Sequence, residues 1–130
     1  MYDKSLILDA LENIEQSLND ILEWSATVRS VDCFLASPSG DILLNAICMK
    51  IFAVGEELKS IDKRTDGQLF PLYSAINWKE AMKMRDIIAH HYFEIDAEVV
   101  FSTLRHDIQP LLETIKQIKN DWYKRLNRCC

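Results

Sequence analysis

Between Met84 and Asp96 the chain reads MRDIIAHHYFEID, which gathers an arginine, an aspartate, two adjacent histidines and a tyrosine among apolar residues. A histidine titrating near neutral pH can move a proton. An arginine can hold a phosphate through its planar fork and stabilise charge as it develops. A tyrosine can donate a hydrogen bond or stack on a base. These are the parts needed to cleave RNA without a metal. The 2′-hydroxyl would attack the adjacent phosphate, His90 would assist proton transfer, and Arg85 would stabilise the crowded phosphate.

Spacing decides whether these groups can meet. With Arg85 at zero on a helical wheel, Asp86 falls at about 100°, His90 at about 140° and Tyr92 at about 340°. Asp86 and His90 share one stripe at the i, i+4 spacing where side chains touch. There the carboxylate would orient the imidazole and favour its protonated form. Arg85 and Tyr92 share another stripe. The stripes diverge, so one straight helix does not aim both at a single point. Either the helix loosens near Ala89, or a second copy of the motif completes the site across a dimer. His91 falls nearer Ile87 and Ile88 and reads as a supporting or packing residue.

A structural reading competes. Histidines at a helix C-terminus interact well with the helix dipole. Arg85 and Asp86 suit a surface, and Tyr92 and Phe93 suit a core. A zinc site from His90, His91 and His106 is disfavoured, because adjacent histidines point apart and no H-x-x-x-H pair exists. No metal and no cofactor is expected.

The elements that must carry the motif are helical. Three glycines and three prolines in 130 residues are few turn signals, which favours long helices over many short strands. Ile7, Ala10, Leu11, Ile14, Leu18, Ile21 and Leu22 recur every three or four positions, predicting a first helix from Asp3 to Val28. One helical turn is expected within SVDCFLAS. Ser37-Pro38 reads as N-cap and first position of a second long helix to about Ile61. That helix is apolar on most sides, so it is either central or touches a second subunit. Gly55 inside it costs about 1 kcal/mol relative to alanine, and close backbone approach is a reason to keep it. After a long connection, Asn77 and Glu80 form a capping-box pattern that starts the motif helix at Trp78. Asp96 is the next cap candidate. Pro110 then predicts a kink or break between His106 and Gln109. The expected fold is all-α, a single domain over residues 1–130, built as an up-and-down bundle of four to five helices.

Composition narrows the partners. Net charge is −5, a poor general balance for binding nucleic acid. The charge is uneven: Leu111–Cys130 carries five basic residues against two acids, and Met1–Ser25 carries six acids against one lysine. A basic face and an ordinary solvated face both fit that pattern. Cys33, Cys48, Cys129 and Cys130 have neither C-x-x-C spacing nor a metal signature and read as reduced thiols of a cytoplasmic protein. No basic-then-apolar leader opens the chain. No uninterrupted apolar run reaches membrane-spanning length, so no membrane partner is expected.

The spacing Arg85, four residues, His90, one residue, Tyr92 resembles the R-x4-H-x-Y motif of the HepT-like branch of the HEPN superfamily. The resemblance covers most of the chain. ILDALENIEQSL is similar to the family's first helix. AICMKIFAVGEELKSI resembles its second, with the Gly55-Glu56 pair. INWKEAMKMRDIIAHHYFEID resembles its I-P-W…M-R-N…H-x-Y-F segment, and LRHDIQPLLETI its last helix with an internal proline. Two residues depart from the pattern. Asp86 stands where many members have asparagine, and His91 fills a position that is often acidic or polar.

The resemblance implies a small helical protein, usually a homodimer, acting as a ribonuclease toxin of a type VII-like toxin–antitoxin pair on tRNA or mRNA. It implies catalytic Arg85 and His90 brought together from both protomers; Asp86 and His91, which depart from the family pattern, are expected in support from their spacing alone. It also implies a cognate minimal nucleotidyltransferase antitoxin that transfers AMP to Tyr92, which contacts substrate in the unmodified protein. Bulk and negative charge added there would switch the site off. The alternatives are a non-catalytic HEPN module binding the nucleotidyltransferase or a nucleotide, and a plain dimeric helical scaffold.

Overall fold

The computed structural model describes residues 4–90 and 95–127, with side chains for 4–86 and 95–126. Six helices follow in order: α1 (Lys4–Trp24), α2 (Asp32–Leu35), α3 (Pro38–Arg64), α4 (Trp78–His90), α5 (Ala97–His106) and α6 (Ile108–Asn127). Among the described residues there is no strand. The all-α bundle is therefore as expected, with α2 a single turn and the last expected helix divided into α5 and α6.

Side chains set the helix boundaries. The Ser37 hydroxyl accepts the Gly40 N–H at 3.1 Å, with Pro38 at the first position of α3. Asn77 Oδ1 accepts the Glu80 N–H at 3.2 Å and opens α4. Asp96 Oδ1 accepts the N–H groups of Glu98 and Val99 at 3.0 and 3.3 Å and opens α5. Each such cap contributes about 1 kcal/mol. Two ends differ from expectation. α1 stops at Trp24 rather than Val28, where the Ser25 hydroxyl turns back to the Ile21 carbonyl at 2.7 Å. α3 runs on to Arg64, past Ile61. At Pro110 the chain breaks rather than kinks: α5 ends at His106 and α6 restarts at Ile108. Pro110 then sits in the first turn of α6, where a missing N–H costs no intrahelical bond.

The core follows the stripes. Ile7, Leu11, Ile14, Leu18 and Ile21 of α1 are fully buried, against Ile47, Val54, Leu58 and Ile61 of α3 and Ile115 and Ile118 of α6. α1 lies between α3 and α6, and α3 between α1 and α4. By length and composition α3 could cross a membrane; its buried stripe packs on α1 and α4, while Ile42 and Met49 stay exposed. The acidic N-terminal and basic C-terminal segments meet within one chain: Lys119 Nζ reaches Glu15 at 3.2 Å, and Trp122 Nε1 donates to the Lys4 carbonyl at 2.9 Å.

The connection before α4 is pinned. Asp66 and Gly67 turn through left-handed backbone, with φ of 51° and 70°. Phe70 stacks on Trp78 with ring centroids 4.1 Å apart. Trp78 Nε1 donates to the Tyr73 carbonyl at 2.8 Å, and the Tyr73 hydroxyl donates to Asp121 Oδ2 at 2.7 Å. The start of the motif helix is thus tied to α6.

Candidate active site

The site begins at the crossing of α3 and α4. A Cβ placed on Gly55 would stand 2.8 Å from Arg85 Cβ and 3.2 Å from Arg85 N. Only glycine lets the helices approach this closely, which gives the glycine expected to be costly its reason. Glu56, the next residue, forms an ion pair through Oε1 with Arg85 Nη1. Arg85 Nε also donates to Asp86 Oδ1 at 3.1 Å. The Arg85 side chain is 29% exposed, so it is held at the seam and still partly reachable from solvent. It has five N–H donors, and the two carboxylates leave some for a phosphate.

The structure brings Arg85 and Asp86 together. The carboxylate of Asp86, expected to serve His90, engages Arg85. His90 is the last residue of α4, and its side chain lies outside the described ones. His91 and Tyr92 lie outside the described residues altogether. His106 belongs elsewhere. It ends α5 with Nδ1 3.1 Å from the Ser102 carbonyl and lines a cavity against Asn77, Glu80 and Met84.

Sequence reasoning missed Glu56 as the partner of Arg85. Its signal was present: a glutamate directly after a glycine in an otherwise apolar stretch, one step from the close approach.

A family profile described as "Ribonuclease HepT-like" matches residues 7–118. This chain belongs to the HepT-like ribonuclease family. It is 30% identical over 93% of its length to a Methanocaldococcus jannaschii protein named "Gamma-glutamylcyclotransferase and putative RNase". There it covers 48% of the relative, so the chain spans about half of that protein. It is 27% identical over 85% of its length to the "Probable ribonuclease HepT" of Thermococcus cleftensis, of which it covers 94%. It is also 27% identical over 83% of its length to a "Putative RNase" of Caldanaerobacter subterraneus, of which it covers 89%. No solved structure matches the chain. The HepT-like segment contains the Gly55–Arg85 crossing, so the clamped arginine lies inside the family's own region.

Proposed function

We propose that this HepT-like chain is a metal-independent endoribonuclease toxin that acts in the cytoplasm as a homodimer. The observation that carries this reading is the placement of Arg85. Gly55 and Glu56 fix the guanidinium at a helix crossing, on the helix that ends at His90. A fixed, part-exposed cation near a proton-transferring group suits phosphodiester cleavage. The 2′-oxygen bonds to phosphorus and the bond to the 5′-oxygen breaks, leaving a cyclic phosphate and a 5′-hydroxyl. His90 moves the proton, and Arg85 bears the charge that builds on the phosphoryl oxygens.

A second protomer fits the exposed apolar side of α3, where Ile42 is 70% and Met49 59% exposed. Such a contact would bring two Arg85–His90 pairs together and answer the divergence of the stripes. The antitoxin in this reading is a minimal nucleotidyltransferase that AMPylates Tyr92 and blocks the site by bulk and charge. The second reading, a non-catalytic module that binds the nucleotidyltransferase or a nucleotide, is favoured by one observation: two carboxylates already occupy Arg85.

The test is cleavage of total RNA in EDTA by wild type, His90→Ala and Arg85→Ala. The chain is purified from cells lacking the partner, and its intact mass is checked for added AMP. Cleavage by the wild type alone supports the ribonuclease. Equal cleavage by all three would refute the assigned site. No cleavage by the unmodified wild type leaves the binding module.

A further inference from the structure

A groove of about 400 Å³ runs along one flank of the α3–α4 seam, lined by Lys59 and Asp62 from α3 and by Lys79, Met82, Lys83 and Asp86 from α4. It ends at Asp86, whose carboxylate holds Arg85. Lys59, Lys79 and Lys83 are exposed. None of the three forms an ion pair with a described residue. Elsewhere the bundle uses lysines as ties: Lys50 pairs with Asp20 at 3.1 Å and Lys119 with Glu15. The groove and the arginine site together hold four cations (Lys59, Lys79, Lys83, Arg85) against three carboxylates (Glu56, Asp62, Asp86). That local sum is +1 in a chain of net −5.

We propose that this groove carries the backbone phosphates of single-stranded RNA on one side of the scissile bond, leading the strand to Arg85. The proposal rests on the ribonuclease reading above and deepens it. Lys79 and Lys83 are one turn apart, and Lys79 to Arg85 spans about 9 Å along the helix. The lysines are point charges without base-reading geometry, so they hold the strand without choosing its sequence. The strand is single because in-line attack by a 2′-hydroxyl needs backbone freedom that a duplex denies.

The test measures binding of a short fluorescent single-stranded RNA by the full chain, carrying His90→Ala so that the RNA survives. Lys59→Gln, Lys79→Gln and Lys83→Gln are added together. Glutamine keeps helix propensity, and an unchanged melting midpoint confirms the fold. Each lost lysine–phosphate contact makes the slope of log affinity against log salt shallower by about 0.7, or about 2 for three. Between 50 and 200 mM salt the unsubstituted groove should therefore lose roughly 20-fold more affinity than the triple variant. The corresponding arginine triple should restore the slope, and Lys116→Gln with Lys124→Gln on α6 should leave it unchanged. An unaltered slope in the glutamine triple overturns the groove, as does an equal effect from the α6 pair. If wild type cleaves RNA while the triple variant binds as before, the groove falls and the ribonuclease stands. If wild type neither cleaves nor binds RNA, both fall.

Discussion

Gly55→Ala separates what the α3–α4 crossing does for catalysis from what it does for folding. The added methyl would lie 2.8 Å from Arg85 Cβ, about 1 Å inside the optimal carbon–carbon separation of roughly 3.5–4.0 Å. Both atoms are fixed by backbone, since Arg85 N stands only 3.2 Å away. No rotamer relieves the contact, so α4 must shift. Alanine gains about 1 kcal/mol of helix propensity, while overpacking costs about 1–3 kcal/mol. The net effect on stability should lie between neutral and a loss of about 2 kcal/mol. The effect on catalysis should be larger, because Arg85 moves with its helix away from Glu56, and a displacement of about 1 Å can cost 100-fold in rate. Urea unfolding gives the first quantity, and single-turnover RNA cleavage in EDTA gives the second. The expected result is a folded protein with cleavage reduced about 10- to 100-fold. A folded Gly55→Ala variant cleaving within about threefold of wild type would refute the reasoning, because that is far short of the loss expected for a displaced arginine.

Three further outcomes follow from named contacts. Asp86→Asn removes one of the two charges on Arg85. Unit charges about 5 Å apart in a water-like medium interact by about 0.8 kcal/mol, so RNA affinity should rise about two- to fourfold at low salt and converge with wild type at high salt. A fall in affinity would contradict it. Burial, and then the hydrogen bond to Asp121, push the Tyr73 hydroxyl up to about 12. An unfolded tyrosine ionises at about pH 10, so this contribution to stability is whole below that pH and is lost as pH rises through about 12. Tyr73→Phe should cost about 1 kcal/mol at neutral pH and flatten that alkaline fall, and an identical pH profile would count against the tie to α6. Burial likewise pushes the Cys48 thiol up to about 11, whereas backbone groups of Arg29 and Ser30 lower that of exposed Cys33. Iodoacetamide near pH 8 followed by peptide mass mapping should label Cys33 and spare Cys48, and the reverse order would refute the burial.

The fold was readable where a single residue type carries a local physical rule. Ser37, Asn77 and Asp96 open helices because a side-chain oxygen meets an orphan N–H, and a sequence shows that directly. Pro110 announced its break by another local rule, because its ring excludes a helical carbonyl four residues back, at His106 where α5 ends. What could not be read was anything set by two elements at once. The wheel assigned Asp86 to His90 by spacing along one helix. The structure places its carboxylate on the neighbouring Arg85, which Glu56 on α3 pairs from across the seam, and the His90 side chain lies outside the described ones. The charge asymmetry between the chain ends likewise has its answer across elements, in Lys119 and Glu15, and no single-helix pattern contains that pairing.

The outer face of α3 shows why one acidic helical chain can serve two kinds of contact. Ile42, Met49, Phe52, Glu56 and Lys59 follow one another at spacings of seven, three, four and three, and so lie on one face of the helix. Its first half exposes Ile42 and Met49, with the polar Asn45 between them. Its second half turns charged at Glu56 and passes into the lysine groove at Lys59. Arg85 is held at the boundary, where Gly55 draws α4 in. An apolar patch excludes water and suits a second copy of the chain, whereas unpaired lysines keep their hydration until a phosphate replaces it. In the proposed dimer both requirements meet at one residue without competing for the same surface. The net charge of −5 then disfavours RNA over much of the surface, while the lysine strip beside the arginine offers a local excess of positive charge.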